Sequence, residues 1–300
     1  MFSSDSKLRV IEKEAFAFSG IDNMSIPSCV VELNEGWLAA TQNLKRVTIL
    51  PSEENNIVYY DEKLIIGKSN TKSDTYDVLY FVDREATAVT IPPSITIIES
   101  YAFSQSLVEN ISIPNSVTKI CDKAFKWCKK LKEISVSPGS KLHSIETNAF
   151  ANSSIECLSI PSSIVELKEG WRSEAYDLKK MTIVENEVQN VASLDNKLII
   201  GKSDTKSDIF DILYFANRNF KTITIPPKIK IIESYAFYCS LIERICIPPH
   251  VTTICKSAFG NCKKLRIVDI SDDSELKIIE GEAFCNTLIK SFYVPSGVTH

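Results

Sequence analysis

Short alternations of apolar and polar positions recur along the chain, and many of them end at the dipeptide Ile-Pro. In Phe220-Lys-Thr-Ile223-Thr-Ile225-Pro226 the apolar positions occur at every second residue near the proline. This period predicts a β-strand with the isoleucines turned inward. Because proline has no N–H to donate to a sheet, we expect each strand to end there.

A second phrase, Ala-Phe, lies between these strands, and the two phrases alternate at 22 residues in several places, as from Ile91 to Ile113 and from Phe103 to Phe125. Alternation at this period is typical of leucine-rich repeats. The segment around Phe125 is too short to form a helix alone. We expect one helical or 3₁₀ turn that drives Phe125 and Cys128 into a core shared by stacked repeats.

A longer repeat contains the short one, since Phe16, Phe103, Phe125 and Phe150 each recur 134 residues later. The sequence therefore predicts one continuous solenoid over 1–300. It consists of a block of about 16–149, a second copy at 150–283 and the start of a third at 284–300.

The repeat resembles the BspA-like leucine-rich repeats of surface proteins from bacteria and anaerobic protists. Ile113-Pro-Asn-Ser-Val-Thr-Lys-Ile-Cys-Asp-Lys-Ala-Phe-Lys-Trp-Cys-Lys-Lys-Leu131 carries the family motif, and so does Ile247 to Leu265. The resemblance implies an α/β, right-handed leucine-rich-repeat solenoid, rich in β structure. Its parallel sheet would run along one side and short helical turns along the other. For many members it implies adhesion to host proteins or other cells.

Two segments, 57–82 and 191–216, depart from the repeat. The strand expected near position 70 falls in Ser69-Asn-Thr-Lys-Ser-Asp74, which is typical of a turn. Lys63 to Ile66 and Asp77 to Phe81 fit two strands of a hairpin better, and the arrangement recurs at Lys197 to Phe215. Whether these hairpins protrude or join the stack is left open by the sequence.

Composition and charge narrow the functional classes. Hydrophobic residues make up 44% of the chain and the net charge is −4, which favours a folded protein and disfavours a nucleic-acid partner. No apolar run reaches the length of a membrane span, so we expect no membrane insertion. Residues 1–10 lack the apolar core of a secretory signal.

Candidate chemical motifs fail on spacing. Gly67-Lys68-Ser69, repeated at Gly201, lacks the earlier glycine of a phosphate loop. Cys121 and Cys128 lie too far apart for a zinc clip, and the acidic turn at 69–77 lacks the ligand order of a calcium loop. We therefore expect no catalytic residue, no cofactor and no metal, with the cysteines acting as small core residues.

The side chain between two inward positions of a strand should point outward. Most of these outward residues are small hydroxyl residues, and basic residues lie beside some of them. The candidate partner-binding face comprises Arg46, Thr48, Thr90, Ser112, Ser135, Ser159, Lys180, Thr182, Thr224 and Arg244. The alternative contact surface is formed by the hairpin tips, at Lys72, Asp74, Lys206 and Asp208. A structural explanation also holds, because Ser and Thr suit an exposed strand.

Together these features predict a non-enzymatic macromolecule-binding repeat protein, at the cell surface or secreted, whose partner is a protein or a cell-surface macromolecule. An intracellular protein-interaction scaffold of the same fold, in the cytoplasm, is the alternative. An enzyme is the third hypothesis, which would require a buried cluster of convergent titratable residues.

Overall fold

The computed structural model describes residues 6–41 and 43–300, so part of the start in which no secretory signal is predicted lies outside the described residues. The chain divides into two compact units. Unit 1 comprises Met1–Glu156 and Glu166–Asp177, and unit 2 comprises Cys157–Val165 and Leu178–His300. That 1–300 forms one continuous solenoid of duplicated blocks stays a prediction.

The regular elements of unit 1, within the described residues, are strands. They are β1 (Val10–Ile11), β2 (Asn23–Pro27), β3 (Glu32–Leu33), β4 (Arg46–Leu50), β5 (Ile57–Tyr60), β6 (Leu64–Gly67), β7 (Val78–Val82), β8 (Ile97–Ile98), β9 (Asn110–Ile113), β10 (Lys119–Ile120), β11 (Glu133–Val136), β12 (Ser144–Ile145) and β14 (Glu166–Leu167). A seven-stranded sheet has the order β14-β12-β10-β8-β7-β6-β5. Parallel pairs β1–β3, β2–β4 and β9–β11 complete the unit.

Unit 2 repeats this arrangement. Its strands are β13 (Cys157–Pro161), β15 (Lys180–Val184), β16 (Val191–Leu194), β17 (Leu198–Gly201), β18 (Ile212–Ala216), β19 (Ile231–Ile232), β20 (Arg244–Ile247), β21 (Thr253–Ile254), β22 (Ile267–Ile270) and β23 (Ile278–Ile279). A six-stranded sheet has the order β16-β17-β18-β19-β21-β23, and β13–β15 and β20–β22 pair in parallel.

The predicted alternation of inward and outward residues is confirmed in these parallel pairs. Ile111 and Ile113 of β9 are buried while Ser112 between them is exposed, and Val47 and Thr48 of β4 differ in the same way. Ile49 is only half-buried. Pro27 and Pro161 are the last residues of their strands, as the loss of the proline N–H requires.

The prediction of a strand is wrong at two positions. Thr90 and Thr224 lie in irregular segments outside the strands of the described residues. The isoleucines beside them, Ile91, Ile223 and Ile225, are nevertheless buried. The alternation of apolar residues here reflects burial without strand pairing. The outward residues therefore do not form one continuous row within either unit.

The predicted hairpins are confirmed, and the structure answers whether they join the stack. β6 pairs antiparallel with β7, β17 with β18, and a strand that the sequence pattern did not reveal is added to each, β5 and β16. β7 then pairs in parallel with β8, and β18 with β19. Each hairpin is therefore built into the main sheet of its unit.

The predicted helical turns are wrong, because the described residues contain no helix. In the turn at 101–105, Tyr101 and Gln105 have φ of 63° and 64°, in the left-handed region. Phe103 donates its N–H to the carbonyl of Ala124 at 2.8 Å, in the next repeat. In the other Ala-Phe turns, too, the residues two before and two after the phenylalanine have positive φ, and this backbone cannot continue as a right-handed helix.

The Ala-Phe phrases supply the core, as predicted. Phe125 is completely buried, and its ring stacks between Phe103 at 4.6 Å and Phe150 at 5.3 Å. In unit 2 the ring of Phe259 stacks between Phe237 at 4.8 Å and Phe284 at 5.1 Å. The stacked phenylalanine rings of each unit therefore form an aromatic column that packs successive turns together.

Candidate functional site

The first segment of the candidate face in unit 1 lies on β2 and β4. Ser25 and Thr48 are direct partners in the register. Arg46 is exposed, and its guanidinium carbon lies 5.6 Å from the centre of the Tyr59 ring on β5. The Tyr59 hydroxyl donates to the carboxylate of Asp83 at 3.3 Å, and burial, followed by the charge of Asp83, raises the pKa of Tyr59. An arginine, an aromatic ring and a carboxylate thus extend this segment, and only Arg46 was identified from sequence.

The second segment of the face in unit 1 lies on β9 and β11. Ser112 and Ser135 are partners in the register, the first exposed and the second half-buried. Both side chains are short, so the surface at these two positions is low and polar.

In unit 2 the matching segment lies on β13 and β15. Ser159 and Thr182 face each other in the register, and their hydroxyl oxygens are hydrogen-bonded at 2.8 Å. Both are half-buried, whereas Lys180 on β15 is exposed. Each hydroxyl retains further hydrogen-bonding capacity while the pair is held in place.

The last predicted anchor, Arg244 on β20, is already engaged. Its Nε and Nη2 donate to the two carboxylate oxygens of Asp269 on β22 at 2.5 and 2.9 Å. These hydrogen bonds, and then the charge of Asp269, raise the pKa of Arg244. A bidentate pair of this kind fixes the guanidinium plane, so a partner would meet an ion pair rather than a free cation.

The two outward threonines that lie outside the strands are both exposed. Thr224 lines a cleft of about 280 Å³ in unit 2 together with Leu194, Asp195 and Lys197. Lys197 also lies 5.5 Å from the ring centre of Phe220. In unit 1, near Thr90, the equivalent Lys63 donates to the carbonyl of Ala88 at 3.3 Å. The sequence pattern does not indicate this cleft, because its walls come from a turn and an irregular segment.

The four tip residues of the hairpins, Lys72, Asp74, Lys206 and Asp208, are exposed. Hydrogen bonds between a serine and an aspartate stabilise the base of each turn. Ser69 donates its N–H and hydroxyl to the Asp77 carboxylate at 2.8 and 2.6 Å, and Ser203 donates likewise to Asp211. The acidic residues at the base of each turn therefore stabilise it, which explains their presence in a segment without the ligand order of a calcium loop.

Gly67 of the Gly-Lys-Ser phrase has a structural role. A Cβ on Gly67 would lie 2.6 Å from the Tyr80 ring and 2.9 Å from Ile57. Gly201 meets Tyr214 in the same way. Both glycines of the Gly-Lys-Ser phrases are therefore needed for ring packing inside a sheet.

The buried cysteines pack as small apolar residues, as predicted. Burial raises the pKa of the Cys128 thiol to about 11 and that of Cys121 to about 12. Cys262 is fully buried and its thiol donates to the carbonyl of Phe237 at 3.0 Å. Within residues 6–41 and 43–300, no group of three or more His, Cys, Asp or Glu is placed to hold a metal ion. The same residues contain no helix long and apolar enough for a bilayer.

The strand pairs, stacked turns and parallel sheets define the class of fold, a leucine-rich-repeat β-solenoid. The family model for the BspA type leucine rich repeat region matches six copies over residues 2–73, 79–194 and 203–300. The chain therefore belongs to the BspA-type leucine-rich-repeat family.

Solved structures agree on the fold. A leucine rich cell surface protein from Faecalibacterium prausnitzii is similar with a TM-score of 0.64 at 22% identity, covering 97% of this chain and 78% of that one. A leucine-rich repeat protein from Eubacterium ventriosum gives 0.59 at 20%, over 95% and 64%. The pneumococcal vaccine antigen PcpA gives 0.57 at 20%, over 90% and 57%. The chain thus spans less than two thirds of the length of the last two. No curated protein sequence matches it.

Proposed function

We propose that the chain is a non-enzymatic protein-binding module that acts in adhesion at the cell surface. The observation that carries the proposal is the register of the outward hydroxyl residues. Ser25 and Thr48, Ser112 and Ser135, and Ser159 and Thr182 are aligned side by side on neighbouring strands. Aligned short polar side chains leave a flat surface that a protein partner can cover.

Support for the compartment comes from the family and from the cell-surface description of the Faecalibacterium protein. The intracellular scaffold is the competing function, and one observation favours it. All nine cysteines lie outside disulfide bonds, which suits a reducing compartment. Fractionation of the producing cells, with protease treatment of intact cells, separates the two.

The predicted outward positions of the two units are tested by placing a long cation at three of them. We expect the triple variant Thr48→Lys, Thr182→Lys and Thr224→Lys to lose the proteins that the wild type retains from a cell-surface extract while it remains folded. A cytosolic extract is tested in parallel. Undiminished retention by the folded variant would contradict the proposed face, and retention from the cytosolic extract alone would favour the scaffold.

A further inference from the structure

A basic cluster with a tryptophan at its centre lies on the turn side of unit 1. Five lysines occur within 123–132, in a chain whose net charge is −4. Lys123 is neutralised by Asp122 at 2.6 Å. Within the described residues, Lys126, Lys129 and Lys130 have no such carboxylate partner. The cluster therefore presents unbalanced positive charge.

A cleft with apolar walls opens beside these lysines. It has a volume of about 380 Å³ and is lined by Gln105, Ser106, Leu107, Trp127 and Lys129. Leu107 is 42% exposed although it is a large apolar residue. Leucine and tryptophan from two successive turns thus form walls that would lose contact with water if an apolar side chain entered.

Trp127 occupies a position where the backbone favours other residues. Its φ is 61°, in the left-handed region, which is uncommon for a bulky side chain. Asparagine, which tolerates this conformation better, occupies three of the six equivalent positions in the other turns, Asn152, Asn261 and Asn286, and Phe18, Gln105 and Cys239 occupy the rest. The turn therefore accepts several residue types at this position, and its backbone does not require tryptophan.

The lysine next to the tryptophan lies against the indole ring and close to a second lysine, Lys123. The Lys126 ammonium lies 4.2 Å from the centre of the Trp127 ring. Burial, followed by repulsion from Lys123, lowers the pKa of Lys126. A ligand that brings a carboxylate to this point would pair with the ammonium and offset the repulsion from Lys123.

We propose that this cleft binds an acidic segment of a protein partner, with one large apolar side chain between Leu107 and Trp127. Aspartates or glutamates on either side of that side chain would pair with Lys126, Lys129 and Lys130. The inference rests on the proposed protein-binding function and adds a second contact site with a defined partner chemistry. Apolar walls with a cationic rim favour such a peptide over a sugar, which offers no comparable side chain.

Unit 2 provides a natural comparison. The turn equivalent to 126–127 has Gly260 and Asn261 in place of Lys126 and Trp127, and Asn261 donates to the hydroxyl of Tyr238. The double variant Lys126→Gly with Trp127→Asn therefore copies a sequence that this turn already accommodates. It removes the anchor and one cation without an expected loss of stability.

The test uses the full chain and the fluorescein-labelled hexapeptide Glu-Asp-Phe-Leu-Asp-Glu, followed by fluorescence anisotropy. We expect the double variant to weaken binding by about tenfold or more, the loss usual for an aromatic hot-spot residue. Lys129→Ser with Lys130→Ser should also weaken it. The matched pair Lys263→Ser with Lys264→Ser, which has the same charge change in unit 2, should leave it unchanged.

Three outcomes would overturn the proposal. The first is equal binding by the wild type and the folded double variant, and the second is no binding by the wild type at millimolar peptide. The third is equally tight binding of a heparin-derived tetrasaccharide, since a site that recognises only charge needs no apolar cleft. This experiment changes no residue of the strand face. A negative result here therefore does not bear on the proposed function of that face, which has its own test.

Discussion

The ring of Phe103 lies 4.6 Å from the ring of Phe125, and the two planes are inclined by only 18°. The two residues belong to successive turns, so their ring contact joins two neighbouring repeats inside the core. Both rings are completely buried. Removal of one ring therefore leaves a cavity between its neighbours.

We expect Phe125→Ala to lower the free energy of unfolding by about 3–5 kcal/mol, the cost usual for a buried phenylalanine. Denaturant unfolding followed by circular dichroism measures it. Phe18→Ala is the control, because Phe18 is 82% exposed and should change stability by less than about 0.5 kcal/mol. Equal effects of the two substitutions would show that the column is not the core.

The left-handed turns predict opposite effects of glycine at two glutamates of one turn. Glu174 has φ of 58° and is exposed, so Glu174→Gly should stabilise the protein by about 0.5–1 kcal/mol. Glu169 is also exposed but is not among the residues with positive φ, so Glu169→Gly should destabilise it by a similar amount. Thermal unfolding of both variants decides it, and effects of the same sign would argue against the turn geometry.

These turns mark the limit of what the sequence predicts. Ile111, Ser112 and Phe125 were placed correctly, because burial alternation and a recurrent aromatic are signals of packing. The helical turns were wrong because a repeated Ala-Phe phrase carries no information on φ. The backbone donors are satisfied by the next repeat, as between Phe103 and Ala124, and such long-range pairing has no local signal.

The candidate site was predictable to a similar degree. Thr48 and Ser112 were recognised as outward residues, but the Arg244–Asp269 pair requires knowledge of the register between β20 and β22. Thr224 was assigned to a strand because its isoleucine neighbours alternate. The cleft at Trp127 joins two turns, and only the structure brings its walls together.

Close ring packing predicts a steric effect at Gly67. Gly67→Ala should lower the free energy of unfolding by about 1–3 kcal/mol, because the new methyl group meets Tyr80 and Ile57 inside the sheet. Gly281→Ala is the matched control, since nothing lies within 4 Å of its Cβ position. Thermal unfolding measures both, and an unaffected Gly67→Ala variant would leave the glycine unexplained by packing.

Burial of thiols predicts a loss of stability at high pH. Burial raises the pKa of Cys262 from 9.0 to about 12, so the folded state keeps a proton that the unfolded state releases. This contribution is fully present below pH 9.0 and is lost as the pH rises through about 12. Its slope is at most about 1.4 kcal/mol per pH unit for each such thiol. Denaturant unfolding between about pH 8 and pH 11 should show a shallower decline in Cys262→Ala than in Cys246→Ala, whose thiol is exposed. Parallel curves for the two variants would remove Cys262 as a cause.

The hairpin tips provide the last prediction, which separates the two candidate contact surfaces. Lys72, Asp74, Lys206 and Asp208 are exposed, while the turns below them are held by hydrogen bonds such as those of Ser69 to Asp77. Replacement of all four tip residues by serine should therefore leave the melting temperature unchanged. If the strand face is the contact surface, the quadruple variant should also retain the same proteins from a cell-surface extract. Asp77→Ala is the control for a turn that has lost its support, and it should destabilise the protein. Loss of the retained proteins by a folded tip variant, together with normal retention by the triple lysine variant, would assign the contact to the hairpins, because only the tip charges would then distinguish a binding chain from a non-binding one.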